Sequence, residues 1–407
     1  MLESLNGVVT EPIRVERPAT GGAVGRLEDG RVVFVRHALP GELVRVTISE
    51  TNKKFLRGEA SEVVEASNQR VVPPCAYARP FGCGGCDLQH ASSEAQASWK
   101  QSIVHEHLRR IAGLELDFSL TAPPSKAEGS RTRLRCAVDD DGRLALRVFR
   151  SHDLISLDEC WVADDRLKEA FATSWTGAEE VELRAIGEAE PFVVVRRETA
   201  RGTMYEICSL RGEPLDPSMQ SSVEVRGHHY RVGPRSFWQA HCDAPALLVD
   251  TVISMANVAE ADHVVDLYSG VGLFAAQLAK EVGPRGRVSA VENSPYAVRD
   301  ATVNTQGLAS VKVREWAVSA RSVNDAVAPD DVVIMDPPRT GLSKGVAQAL
   351  LRRGPRRIVY VSCDAATFAR DLKELLDGGF ALGELRAFDL FPMTEHVELV
   401  ALLDATA

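Results

Sequence analysis

Between residues 8 and 63, short runs rich in β-branched side chains alternate with turn signals. Gly21-Gly22, Asp29-Gly30 and Pro40-Gly41 bracket the apolar runs 32–35 and 43–46, the spacing of a small closed β-barrel. The alternation stops near 71–74, which predicts a boundary near residue 66. Trp99, Ile103, His107, Leu108 and Ile111 then recur at helical spacing, with Ser93 as N-cap and Gly113 past the end, predicting a helix over 92–111. From there to about 232 the pattern predicts mostly strands; residues 131–138 and 144–149 alternate around the Asp140-Asp141-Gly142 turn, a hairpin signature. From about 233 the period changes. A helical stretch over 244–255 precedes apolar runs at 264–265, 288–291, 311–313, 332–335 and 358–361, with helix-like stretches between them, which predicts a doubly wound, mostly parallel sheet. Segments 380–390 and 396–403 are separated only by a short turn and must pair antiparallel.

The predicted organisation is therefore an OB-like barrel over 1–66, a β-rich central unit over 67–232 and an α/β unit over 233–407. A parallel sheet closed by a C-terminal antiparallel hairpin points to S-adenosylmethionine-dependent methyltransferases rather than dehydrogenases. Composition narrows the function. With 47 basic and 57 acidic residues the net charge is −10, so nucleic acid would have to be met by a local patch. One candidate is 339–373, with eight Lys or Arg against Asp364 and Asp371; another is the hairpin carrying Arg131, Arg133, Arg135, Arg147 and Arg150. No run approaches the roughly 20 apolar residues of a membrane span, so a cytoplasmic protein is expected, with no membrane partner. Eight cysteines in 407 residues are too sparse for a disulfide scaffold and are expected to serve as thiols, metal ligands or nucleophiles.

The chemistry-bearing residues fall at strand ends. Strand 264–267 runs into Asp266-Leu-Tyr268-Ser-Gly270-Val-Gly272, where glycines let a nucleotide-like ligand approach the backbone. Glu292 ends the next strand, where a carboxylate accepts hydrogen bonds from ribose hydroxyls. Asp336-Pro-Pro-Arg-Thr-Gly341 and Ser362-Cys363-Asp364 follow two further strands, which brings a carboxylate and a thiol to the same sheet edge. Separately, Cys75, Cys83 and Cys86 share one Gly-rich loop. Three thiolates need a fourth ligand for either tetrahedral Zn or a four-iron cluster, and Cys160, outside the alternating strand that holds Cys136, is the candidate.

These motifs resemble the RNA uracil-5-methyltransferases, which make 5-methyluridine in tRNA and ribosomal RNA. The resemblance is carried by Phe237-Trp-Gln239, Asp266-Leu-Tyr268-Ser-Gly270, Glu292, Asp336-Pro-Pro-Arg-Thr-Gly341, Val361-Ser-Cys363 and Phe391-Pro-Met-Thr-Glu-His396-Val-Glu398, in the family's order. The N-terminal barrel resembles the family's TRAM domain. The resemblance implies S-adenosyl-L-methionine contacts at Gln239, Tyr268, Gly270, Glu292 and Asp336, a nucleophile at Cys363 and a base at Glu398. It further implies a [4Fe-4S] cluster on Cys75, Cys83, Cys86 and Cys160, an RNA loop as substrate, and a monomer. Asp364-Ala365 and Ala240-His241 stand where the family usually has Asn-Pro and Val-Asn. An RNA cytosine-5 enzyme and a non-catalytic RNA-binding iron-sulfur protein remain as alternatives; the first usually carries a second cysteine beside the double proline, absent from Asp336-Pro-Pro-Arg.

Overall fold

The computed structural model describes residues 6–308 and 310–406. Strands β1 (Ile13–Ala19), β2 (Gly22–Arg26), β3 (Val32–Arg36), β4 (Leu43–Thr51) and β5 (Phe55–Glu65) close a barrel in the order β1-β2-β3-β5-β4. Alternating residues fill its interior, among them Val15, Val33, Val35, Val44, Val46, Ile48 and Leu56, as the period-2 pattern requires. Helix α1 (Ser93–His107) is capped by Ser92, whose side chain accepts from Ala95 N, one residue before the expected Ser93. Ala95, Trp99 and Ile103 of α1 pack into the barrel core, whereas Val104 and the following Leu108 belong to the core of the C-terminal sheet. One helix thus ties the first and last layers together.

Strands β7 (Arg133–Val138), β8 (Leu144–Arg147), β9 (Leu154–Ser156), β10 (Glu180–Arg184), β11 (Phe192–Thr199) and β12 (Gly202–Cys208) form an antiparallel sheet of order β12-β11-β10-β7-β8-β9. Its core joins Leu134, Leu144, Val181, Leu183 and Val193 to Phe171 and Trp175. The hairpin of β13 (Ser221–Val225) and β14 (His228–Val232) packs Val225, Tyr230 and Val232 into the C-terminal core instead.

In the C-terminal unit, α2 (Ala244–Ala256) precedes β15 (His263–Leu267), α3 (Leu273–Val282), β16 (Arg287–Glu292), α4 (Pro295–Asn304), β17 (Val311–Glu315), α5 (Ala320–Ala326) and β18 (Val332–Met335). The chain continues through α6 (Val346–Arg353), β19 (Arg357–Ser362), α7 (Ala365–Asp377), β20 (Phe380–Phe388) and β21 (Glu398–Ala405). Strand order is β17-β16-β15-β18-β19-β21-β20-β6, where β6 (Leu120–Thr121) is an edge strand from well upstream. β15 to β19 run parallel, and β21 lies antiparallel between β19 and β20. The order reverses between β15 and β18, which opens a crevice at their carboxyl ends, where doubly wound sheets bind ligands.

Candidate active site

Four loops meet at that crevice. After β15 the chain turns at Tyr268, whose φ is +63°, and Gly270 (φ +54°) donates its N–H to Glu292 Oε2 at 2.9 Å. Glu292 Oε1 accepts from Asn293 N and Ser294 N at 2.8 and 2.7 Å, so the carboxylate at the end of β16 is fixed by three backbone amides. Asp266 is fully buried and accepts from Ala275 N in the first turn of α3 at 3.0 Å; burial holds its carboxyl well above the usual range. Its second oxygen and the Ser269 hydroxyl are buried with no hydrogen-bond partner among the described residues. Such orphans are uncommon in a folded chain, and their gathering at the crevice beside a glycine turn fits a polar nucleotide-like ligand.

Asp336 follows β18, and its N–H reaches Leu267 O at 3.4 Å. Burial pushes its carboxyl up to about 7, while the Gln239 amide beside it acts in the opposite sense. The next residues are held from α7 and β19. The buried Asp371 carboxylate accepts from Leu342 N and Tyr360 Oη, both at 2.8 Å, and Thr367 Oγ1 and Arg370 donate to the carbonyls of Arg339 and Thr340 at 3.0 Å. Gly341 sits at φ +73°, and a Cβ there would fall 2.4 Å from Asp371 Oδ2; glycine is needed for the loop to close onto α7.

Ser362 pairs with Leu399 in the antiparallel β19/β21 ladder, so the register sets Cys363 opposite Glu398. Glu398 is 4% exposed, and burial followed by the Asp336 charge holds its carboxyl well above the usual range. Burial, then the carboxylates of Glu398 and Asp336, push the Cys363 thiol up to about 12, against the pull of Arg339. The same cation also acts on Glu398. Arg339 is thus the positive group of the site, a role the motif reading did not give it.

The loop 391–396 leads into Glu398 and is held from far upstream. Met393 O accepts from Asp87 N and Leu88 N at 2.8 and 2.9 Å, and Gly21 N donates to Glu395 Oε2 at 2.8 Å. Lys100 of α1, fully buried, binds Asp389 and donates to Phe391 O at 2.9 Å. Lys100, Asp371 and Asp389 carry no motif signal and were not expected from the sequence.

Cys75, Cys83, Cys86 and Cys160 line one cavity of about 170 Å³ together with Tyr77, Gln89 and Arg131. Burial pushes Cys83 up to about 11 and Cys86 up to about 12, and raises Cys160. Cys136 is buried in β7 and does not line the cavity. Among the described residues, the group whose donor atoms all lie within 4.8 Å of one another is His241, Cys242 and Asp243; the four thiols stand wider apart. The two basic runs also separate. In 339–373, Arg356, Arg357, Arg370 and Lys373 pair with Asp262, Asp404, Asp371 and Asp377, whereas Arg339 borders a cleft of about 510 Å³ with Arg131, Arg150 and Arg57.

Comparison with known proteins agrees with this arrangement. Residues 9–61 match the TRAM domain, 235–360 the methyltransferase small domain, and 328–406 the tRNA (uracil-5-)-methyltransferase model. An uncharacterized RNA methyltransferase of Streptomyces avermitilis is 39% identical, covering 95% of this chain and 96% of that protein. The 23S rRNA (uracil(1939)-C(5))-methyltransferase RlmD of Halomonas elongata is 32% identical over 94% of this chain and 87% of its own length. The crystal structure of Pyrococcus abyssi tRNA (uracil-54, C5)-methyltransferase, in complex with S-adenosyl-L-homocysteine, superposes with a TM-score of 0.70. It is 28% identical and covers 96% of this chain and 99% of its own. The chain belongs to the family of S-adenosylmethionine-dependent RNA uracil-5-methyltransferases.

Proposed function

We propose that the chain forms 5-methyluridine in a tRNA or ribosomal RNA loop by covalent catalysis, with Cys363 as nucleophile and Glu398 as base. The observation that carries this reading is the register of β19 and β21, which sets a thiol and a carboxyl side by side at the ligand edge of the sheet. C5 of uracil is a weak nucleophile. Addition of the Cys363 thiolate to C6 turns the ring into an enolate whose C5 attacks an electrophile. S-adenosylmethionine, when bound, would supply that electrophile as its sulfonium methyl group, with S-adenosylhomocysteine as the leaving group. Gln239, Tyr268, Gly270, Glu292 and Asp336 are the residues that would hold it: Glu292 at the ribose, and the glycine turn against the backbone. Glu398 then takes the C5 proton, and the C6–S bond breaks to free the product. Arg339 stabilises the thiolate before addition and balances the carboxylates around it.

Cys75, Cys83, Cys86 and Cys160 are proposed to hold a [4Fe-4S] cluster. What supports this is that the four thiols line one cavity of about 170 Å³, and the family resemblance favours four irons over a single zinc. The cluster's contribution would be to fix the loop that carries Asp87 and Leu88, which hold Met393.

RNA containing 5-fluorouridine tests the catalytic reading. With fluorine in place of the C5 hydrogen, elimination is blocked, and a covalent chain–RNA adduct retaining the methyl group is expected; no adduct, with RNA and cofactor both bound, refutes covalent catalysis by Cys363. Mapping 5-methyluridine in total tRNA and ribosomal RNA incubated with the chain then assigns the substrate. For the metal, protein purified without oxygen should be brown and carry iron and sulfide, both lost in Cys86→Ser; zinc without iron refutes the cluster.

A further inference from the structure

The cleft beside Arg339, Phe391 and His396 continues between the barrel and the central sheet into a second cavity of about 350 Å³. Gly21, Arg57, Phe149 and Arg150 line both, so the two form one groove. Arg57, on β5, lies over the rings of Phe34 and Phe55, 5.1 and 5.0 Å from their centroids. Its Nε and Nη1 are buried donors with no hydrogen-bond acceptor among the described residues. Glu50 lies 3.5 Å from Arg57 Nε and 3.9 Å from Arg150 Nη1. One carboxylate is thus shared by two guanidinium groups. Arg36, which stacks on Phe149 at 4.0 Å, is by contrast committed to Glu59 and Asp87.

Buried N–H groups without acceptors are costly, and two like charges turned toward one groove repel. A phosphodiester relieves both, because its two non-bridging oxygens, which share one negative charge, can accept from both guanidinium groups. Four further acids border the groove, Glu59, Asp87, Asp153 and Glu395; Glu59 and Asp87 pair with Arg36, and Glu395, which accepts from Gly21 N, also acts on Arg57. At the mouth stands Phe81, 45% exposed and held at φ +58° in the cysteine loop. Guanidinium donors without acceptors beside an exposed ring are the parts that a single-stranded nucleic acid engages, backbone on the cations and base on the ring.

We propose that Arg57 and Arg150 clamp a phosphodiester of the RNA strand flanking the target uridine, with Phe81 stacking a base at the groove mouth. The proposal rests on the reading of the chain as an RNA uracil-5-methyltransferase. Its test uses the full chain and a fluorescein-labelled oligouridylate of about 12 nucleotides, with affinity measured against potassium chloride concentration. Arg57→Gln and Arg150→Asn should each bind about tenfold more weakly, with the salt slope reduced by about 0.7. Asparagine is chosen because Arg150 has φ +55°, which asparagine tolerates. Arg57→Lys should keep the slope, and Phe81→Ala should lose affinity equally at all salt concentrations. S-adenosylhomocysteine binding, by calorimetry, should be unchanged in all four. Unaltered affinity and slope in Arg57→Gln and Arg150→Asn overturn the clamp, as does loss of S-adenosylhomocysteine binding in both, which marks unfolding as the cause. Formation of the 5-fluorouridine adduct is scored separately: a chain that binds through these arginines yet forms no adduct sinks the catalytic reading and leaves the clamp standing.

Discussion

Glu398→Gln should separate the two halves of the proposed reaction. The side chain is 4% exposed at the head of β21, opposite Cys363. The amide is nearly isosteric with the carboxyl, so the packing should survive. A positioned general base is worth about 10² to 10⁴ in rate, which corresponds to about 3 to 5 kcal/mol of barrier, so multiple turnover should fall by that factor. Addition should not slow. Glu398 is the first charge raising the Cys363 thiol, and the variant removes it, so the thiolate forms at least as readily. The methylated RNA should therefore remain bonded to Cys363. Unmodified RNA, methyl-labelled cofactor and a denaturing gel report this directly: a labelled protein–RNA band should accumulate in Glu398→Gln and be absent in Cys363→Ala. Normal turnover by Glu398→Gln refutes the assignment of the base, and lost turnover without an accumulated band places Glu398 before methyl transfer.

Adduct formation on 5-fluorouridine RNA should rise about tenfold per pH unit between about pH 7 and 9. A thiol pushed up to about 12 is ionised in only about one molecule in 10⁴ at pH 8; a flat profile would mean that the thiolate is already formed. Asp336→Asn should raise the melting temperature more at pH 8 than at pH 5. The native carboxyl titrates near 7 rather than 3.8, so the stability it contributes is complete below the lower value and is lost as pH rises through the upper one; equal gains at both pH values, by calorimetry, would exclude burial of the charge as the cause. Lys100→Ala leaves Asp389 without its cation and Phe391 O without its donor. The expected loss, by urea unfolding, is about 3 kcal/mol, and a change below about 1 kcal/mol would show that the pair lies outside the cooperative core.

The alternation of the barrel strands, the α/β period after residue 233 and the terminal hairpin were legible in the sequence because each is a local pattern repeated over several residues. Strand β6 was not, because two residues carry no period and its pairing with β20 joins positions far apart in the chain. The split role of α1 was hidden for a similar reason: its apolar face is continuous, and only the fold divides it between two cores. Charge counting also had a limit. The run 339–373 was one of two candidate basic patches, yet Arg356, Arg357, Arg370 and Lys373 pair with acids from elsewhere or nearby, while Arg57, a lone arginine in a strand of the barrel, faces a groove. Which charges remain free depends on tertiary partners, and no count along the chain contains them.

The antiparallel strand β21 is where topology and chemistry meet. β15, β16, β18 and β19 all deliver their carboxyl ends to the crevice: β16 ends in Glu292, and β15, β18 and β19 are followed by Tyr268, Asp336 and Cys363. A base placed at the start of a strand could not reach them if that strand were parallel, because six residues of β19 at about 3.3 Å each would put it roughly 20 Å away at the opposite edge. Reversing β21 brings its first residue, Glu398, to the edge where β19 ends. The cost is a chain that must double back through 389–397 without regular structure. The long-range bonds from Lys100, Asp87, Leu88 and Gly21 hold that stretch. Residues of the barrel, the cysteine loop and α1 therefore hold the stretch that leads into Glu398, the proposed base. Truncating the first 66 residues should accordingly lower the rate of adduct formation on 5-fluorouridine RNA even at saturating RNA, whereas a barrel that served RNA binding alone would change only the concentration needed for half-maximal rate.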